Sequence, residues 1–87
     1  MKYLHYEVDA GPGDTIQVTL NRQANVKVMD GTNYQKYRRG ERHTYYGGLA
    51  EVSPANISPP HQGRWHVVID LGGYAGSVQA AVQVLKR

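Results

Sequence analysis

The densest chemistry in the chain lies in one stretch, TNYQKYRRGERHTYYGG at 32–48, which holds four of the seven tyrosines and four of the ten Lys/Arg residues. Arginines such as Arg38, Arg39 and Arg42, with Lys36 among them, are the side chains that meet phosphates and carboxylates, Arg with bidentate geometry. Tyr45 or Tyr46 could stack on bases, because single-strand binders combine a cationic groove with aromatic platforms. A plainer reading competes. Tyr34 and Tyr37 would anchor a helical turn, one of Tyr45 and Tyr46 would face a core, and the arginines would solvate the rim. Tyrosine suits that role because it buries a large apolar body while its hydroxyl stays wet. A single acid, Glu41, dilutes the charge here. The expected contact surface is therefore Tyr37, Arg38, Arg39, Arg42, Tyr45 and Tyr46, and the expected partner is a protein or an anionic ligand.

The other reactive residue types are more scattered. Zinc wants three or four ligands converging at about 2.0–2.1 Å. The four histidines, His5, His43, His61 and His66, show no i, i+2 or i, i+4 spacing. His5 and His66 would meet only if their strands pair, with Glu7 or Asp70 completing a set, and solvated surface histidines are the plainer reading. No metal ligand and no cofactor is assigned. LGGYAG at 71–76 follows a strand, as a phosphate loop does, but a phosphate cradle also needs a helix after it, and SVQAAVQVL reads as strand. These glycines are expected to turn a hairpin with positive φ. Ser53, Ser58 and Ser77 lie outside any G-x-S-x-G elbow, and Asp9, Asp14, Asp30 and Asp70 flank turns. No catalytic constellation emerges. A small hydrolase would need a cleft of about 300–1,000 Å³, more concave volume than a domain of this size is expected to offer.

The elements that must position these residues are strands. Eighty-seven residues form one domain, 1–87, and a chain this short buries only about 60% of the surface its unfolded form exposes. With no cysteine, neither a disulfide nor a thiolate-bound metal holds it together. Alternation of period two dominates. Leu4, Tyr6 and Val8 share one face; so do Ile16, Val18 and Leu20, then Ala24, Val26 and Val28. Trp65, Val67, Ile69 and Leu71 repeat the pattern, as do Val78, Ala80, Val82 and Val84. One buried and one wet face per strand is the habit of antiparallel sheets. Turn signals separate the runs, and weaker strands are expected near 43–52 and 55–58. One helical turn interrupts near 33–38. Thr32 is the expected N-cap, with Gln35 completing a capping box, and Gly40 the left-handed stop. Met29, Val68, Ala81 and Leu85 fall on otherwise polar faces. A contiguous patch of that kind would mark an interface, so a homodimer through a sheet face is an expectation.

Several of these motifs together, ANV.VMD, NY..Y.RG, YYGG and WHVVIDLGGY, resemble a bacterial family known only as domain-of-unknown-function family 1883. The likeness runs over nearly the whole chain. More loosely, the layout is similar to small jelly-roll-like sandwiches of the GOLD or pre-peptidase type. The resemblance implies a compact β-sandwich found alone or fused to TIR domains, which suits a recognition or sensing module, and it transfers no catalytic residue.

The sequence thus predicts an all-β, jelly-roll-like antiparallel sandwich of seven or eight strands acting as a non-catalytic recognition module. Nucleic-acid or nucleotide binding is the alternative, and a small hydrolase the more remote one. The net charge of +3 and pI of 9.3 favour anionic partners only weakly. MKYLHYEV lacks the apolar run of about 7–15 residues of a secretion signal, and no run approaches the roughly 20 apolar residues of a spanning helix. A cytoplasmic location without membrane attachment is expected.

Overall fold

In the computed structural model, which describes residues 3–86, the alternating runs form seven strands. They are β1 (Tyr3–Ala10), β2 (Thr15–Leu20), β3 (Ala24–Met29), β4 (Tyr46–Ala50), β5 (Ala55–Ile57), β6 (Gly63–Asp70) and β7 (Ala80–Leu85), with one helix, α1 (Gly31–Arg38). The strands make two antiparallel sheets, ordered β1-β6-β3-β4 and β5-β2-β7. Every connection crosses between the sheets except β3 to β4, the one that carries α1. The fold is therefore a small all-β sandwich, as the alternation predicts.

The core between the sheets is made of the residues that alternation turns inward. Ile16, Val18, Val26, Val28, Trp65, Val67 and Ile69 are fully buried, with Leu4, Tyr6, Val8, Val82 and Val84 packed against them. Trp65, 2% exposed, donates from Nε1 to the His61 carbonyl 3.2 Å away, which satisfies the one polar atom that its burial strands.

The three-stranded sheet fills the inner face of the four-stranded sheet, so the connection from β3 to β4 must pass over the outer one. There α1 covers a second, smaller core of Met29, Tyr34 and Val68, flanked by Tyr3 and Tyr37. This corrects the reading of Met29 and Val68 as exposed interface positions: both are buried under the helix, leaving Ala81 and Leu85 exposed. An eight-residue helix is marginal alone, and its hold comes from this contact and from its ends. The N-cap is Asp30 rather than Thr32. Its carboxylate accepts from Asn33 N at 2.8 Å and Asn33 Nδ2 at 3.0 Å. Asp30 follows β3 directly in extended conformation, and a carboxylate also complements the positive helix start. At the other end Gly40 takes φ +73°. Its N–H donates to the Tyr37 carbonyl and that of Glu41 to the Lys36 carbonyl, the paired bonds of a Schellman stop.

Gly72, Gly73 and Gly76 do take positive φ. They do not turn a hairpin, because β6 and β7 belong to different sheets. The 71–79 segment instead carries the chain from one sheet to the other.

Candidate functional site

The outer face of the four-stranded sheet, with α1 across it, gathers most of the polar chemistry of the chain. Lys27, Met29, His66, Val68, Asp70, Tyr3, His5 and Glu7 all point this way, since cross-strand partners share a face.

The six residues of the basic-aromatic stretch separate into four settings. Tyr37 is a fastener: its hydroxyl donates to Asp70 Oδ2 at 2.8 Å, and its ring meets Tyr3 edge-on at 5.2 Å. Arg38 and Tyr45 lie exposed beside it. The Arg38 guanidinium sits 5.9 Å from the Tyr34 ring, and Lys27 Nζ lies 5.3 Å from the Tyr37 ring and 4.8 Å from that of Tyr45. Arg39 and Arg42 are exposed on the loop after the helix, where Arg39 pairs with Glu41. Tyr46 lies on the opposite side of β4. It is in register with Val28 and presents its ring to Trp65 at 6.0 Å and 79°. Tyr45 and Tyr46 remain 39% and 43% exposed, so both offer aromatic surface, but on different faces.

Two further groups stiffen this loop. Thr44 N donates to Asn33 Oδ1 at 2.8 Å, tying the loop back to the first turn of α1. His43 Nδ1 donates to the Glu41 carbonyl at 3.0 Å, and its Nε2 is buried without a hydrogen-bond partner.

Asp70 is the residue that sequence reasoning misplaced. It does bond local backbone, accepting from Gly72 N at 2.9 Å, but it is 3% exposed and also accepts from Asn25 Nδ2 at 2.9 Å and from Tyr37. Burial pushes its carboxyl up. The three hydrogen bonds and the nearby Lys27 ammonium outweigh burial and hold it below the usual carboxylate range. The Tyr37 phenol is raised in turn, by burial first and then by its bond to Asp70. No spacing signal marks this hub, because Asn25 and Asp70 meet only once β3 and β6 are known to be neighbours.

His5 and His66 do meet. Glu7 lies directly across from His66 in the β1–β6 register, with His5 one pair further along the same face. His5 Nε2 is 2.8 Å from His66 Nδ1, and His66 Nδ1 is 3.6 Å from Glu7 Oε1. The Tyr34 ring stacks on both imidazoles, with centroids 4.1 and 4.5 Å away. Burial, and then the proximity of His5, lowers the pKa of His66 below the ordinary histidine value. Of the two acids considered from sequence, Glu7 joins the pair, while Asp70 is committed to Tyr37 and Asn25.

The expectation of little concave volume is also corrected. A cleft of about 710 Å³ opens where the sheets part beneath the 71–79 segment, lined by Tyr3, Leu4, Ile69, Asp70, Tyr74 and Val78 among others. It is mostly apolar, and its carboxylate is the ionised, fully hydrogen-bonded Asp70, which makes a poor proton donor or acceptor.

These features define a class: a two-sheet β-sandwich with one helix strapped over the outer face of its larger sheet. The chain belongs to the family Domain of unknown function (DUF1883), whose model matches residues 1–87. No curated protein and no solved structure matches it. Among the described residues no helix is long and apolar enough to cross a membrane.

Proposed function

We propose that this domain is a non-catalytic recognition module that takes an acidic partner protein on the ridge formed by the end of α1, the 39–45 loop and Tyr45. The observation that carries the reading is the division of labour along 32–48. Tyr34 and Tyr37 are used to fasten the helix, whereas Arg38, Arg42 and Tyr45 stay exposed. The acids nearby are already engaged, Glu41 by Arg39 and Asp70 by Tyr37, Asn25 and Gly72. The remaining surface field, with Lys36 and Lys27 adding to it, is positive. Arg38, Arg39 and Arg42 would grip carboxylates, Tyr37 and Tyr45 would supply rigid apolar area, and Tyr46 would extend the rim around the edge of β4. This reading takes the chain as a bacterial, cytoplasmic domain of a family in which some members are joined to TIR domains, where recognition would feed a signalling output. A homodimer would have to use the exposed face of the three-stranded sheet, around Ala81 and Leu85.

The test is capture of partners from the native host by the wild-type domain and by the Arg38→Ala/Arg39→Ala/Arg42→Ala variant. Loss of capture by a variant that melts like wild type is the expected result; retained capture moves the surface elsewhere. Oligonucleotide titration across a salt series separates the nucleic-acid alternative, which requires affinity that falls steeply with salt.

A further inference from the structure

We propose that His5, Glu7 and His66 form a binding site for one divalent transition-metal ion of the zinc type. Two imidazole nitrogens and one carboxylate oxygen make a donor set that suits such ions and excludes calcium and magnesium as preferred guests. The three are held by sheet register rather than by loops, on the paired strands β1 and β6.

The spacing is close to what an ion requires. One ligand atom from each residue lies within 4.8 Å of the other two. Bonds of about 2.0–2.1 Å at tetrahedral angles put ligand atoms roughly 3.3 Å apart. His66 Nδ1 and Glu7 Oε1, at 3.6 Å, nearly meet that value. His5 Nε2 and His66 Nδ1, at 2.8 Å in nearly coplanar rings, face each other across a hydrogen bond, and must separate by about half an ångström and turn so that both lone pairs converge on the ion. The exposed His5, on the edge strand β1, can make that adjustment. The hydrogen between the two rings then gives way to the ion, and the ring that carried it takes it up on its other nitrogen.

The surroundings orient the ligands as an outer shell does. Tyr34 Oη lies 3.2 Å from His5 Nδ1 and 3.1 Å from Tyr3 Oη. The Tyr34 ring, stacked on His5, holds the imidazole in the plane in which Nε2 faces His66. The imidazole planes are within 6° of each other, and the Tyr34 ring lies flat over both. Lone pairs in the ring plane stay open while the faces are covered. Arg64 opposes the ion, 3.9 Å from Glu7, but it has Asp9 at 3.5 Å as a second partner and can turn to it. Three protein ligands leave a fourth position for water.

The experiment is calorimetric titration of the metal-stripped full chain with Zn²⁺, repeated with Co²⁺ and visible absorption to read coordination. The expected result is one ion per chain, with four-coordinate cobalt absorption. His5→Gln and Glu7→Gln should each weaken binding at least tenfold, while His43→Gln and His61→Gln bind as wild type does. Zinc should raise the Tm of the wild type and not that of His5→Gln, since only a ligand bound to the folded state shifts the midpoint. His5 is exposed, so its variant should fold even if His66→Gln does not. Absence of binding by the wild type, or undiminished binding by His5→Gln and Glu7→Gln, overturns the proposal. The triple arginine variant should bind zinc normally, so this site and the recognition ridge succeed or fail separately.

Discussion

Removing a single hydroxyl tests how α1 is held. Tyr37→Phe keeps the ring against Tyr3 but deletes the donor that serves Asp70 Oδ2 at 2.8 Å. Asp70 is 3% exposed, so water cannot readily take the place of that donor. A hydrogen bond to a charged group contributes about 1.5–3 kcal/mol, and a stranded buried partner keeps the cost at that level. We take about 2 kcal/mol, which for a domain of this size lowers Tm by roughly 8–16 °C. The effect must also depend on pH. The folded-state pKa of Asp70 is depressed, so its stabilisation is fully present above the ordinary aspartate value of about 4 and is lost as pH falls through the lower folded value. Part of that depression comes from Tyr37. The gap between wild type and Tyr37→Phe should therefore be wide at neutral pH and shrink on acidification. Thermal and urea melts at neutral and acid pH measure it, with the exposed Tyr45→Phe as a control expected within about 0.5 kcal/mol of wild type. A gap below that control's, or one unchanged between the two pH values, refutes the assignment of Asp70 as the ionised anchor of the helix.

Two further pairs of substitutions probe the frame. Val68→Thr puts a hydroxyl at a fully buried position under α1 and should cost about 1–3 kcal/mol in a urea melt, whereas Leu85→Thr on the exposed sheet should be near neutral; equal effects would mean that the helix does not cover Val68. Gly47→Ala should cost more than Gly40→Ala. Both sit at positive φ, but a Cβ at Gly47 would lie 2.3 Å from the Val26 carbonyl oxygen, while one at Gly40 meets nothing within 4 Å. Gly40→Ala then carries only the backbone term of about 1–2 kcal/mol, and a reversed order in thermal melts would contradict the β3–β4 pairing.

Alternation was sufficient to orient the inner faces. Every residue it turned inward on β1, β2, β3, β6 and β7 packs in or against the core, from Leu4 through Ile16 and Trp65 to Val84. A period of two states which side chains share a face, and says nothing of which strands are neighbours or what covers the other side. That is why Val68 and Met29 read as a surface patch: their faces are polar by count, and only the α1 crossing makes them a second core. The same gap hid the Asp70 hub, which needs β3 beside β6, and the cleft beneath 71–79, which exists because that segment spans two sheets instead of turning a hairpin.

Within the basic-aromatic stretch the same rule cuts the other way. Adjacent residues entering a strand cannot present side chains to one face, so Tyr45 and Tyr46 had to part. The partner of Val28 is Tyr46, and Val28 is core, so Tyr46 goes to Trp65 and Tyr45 to Lys27. A helix imposes the complementary constraint. Tyr34, Tyr37 and Arg38 lie on one side of α1 at spacings of three and four, yet only two can reach the sheet. The long, charged arginine spans the Tyr34 ring and leaves its guanidinium in solvent. Tyr37, one of the two tyrosines of the proposed ridge, thus also fixes its shape, whereas the exposed Tyr45 does not. A substitution meant to remove contact surface at Tyr37 would instead release the helix, and the arginines are the residues at which the proposed binding can be tested apart from folding.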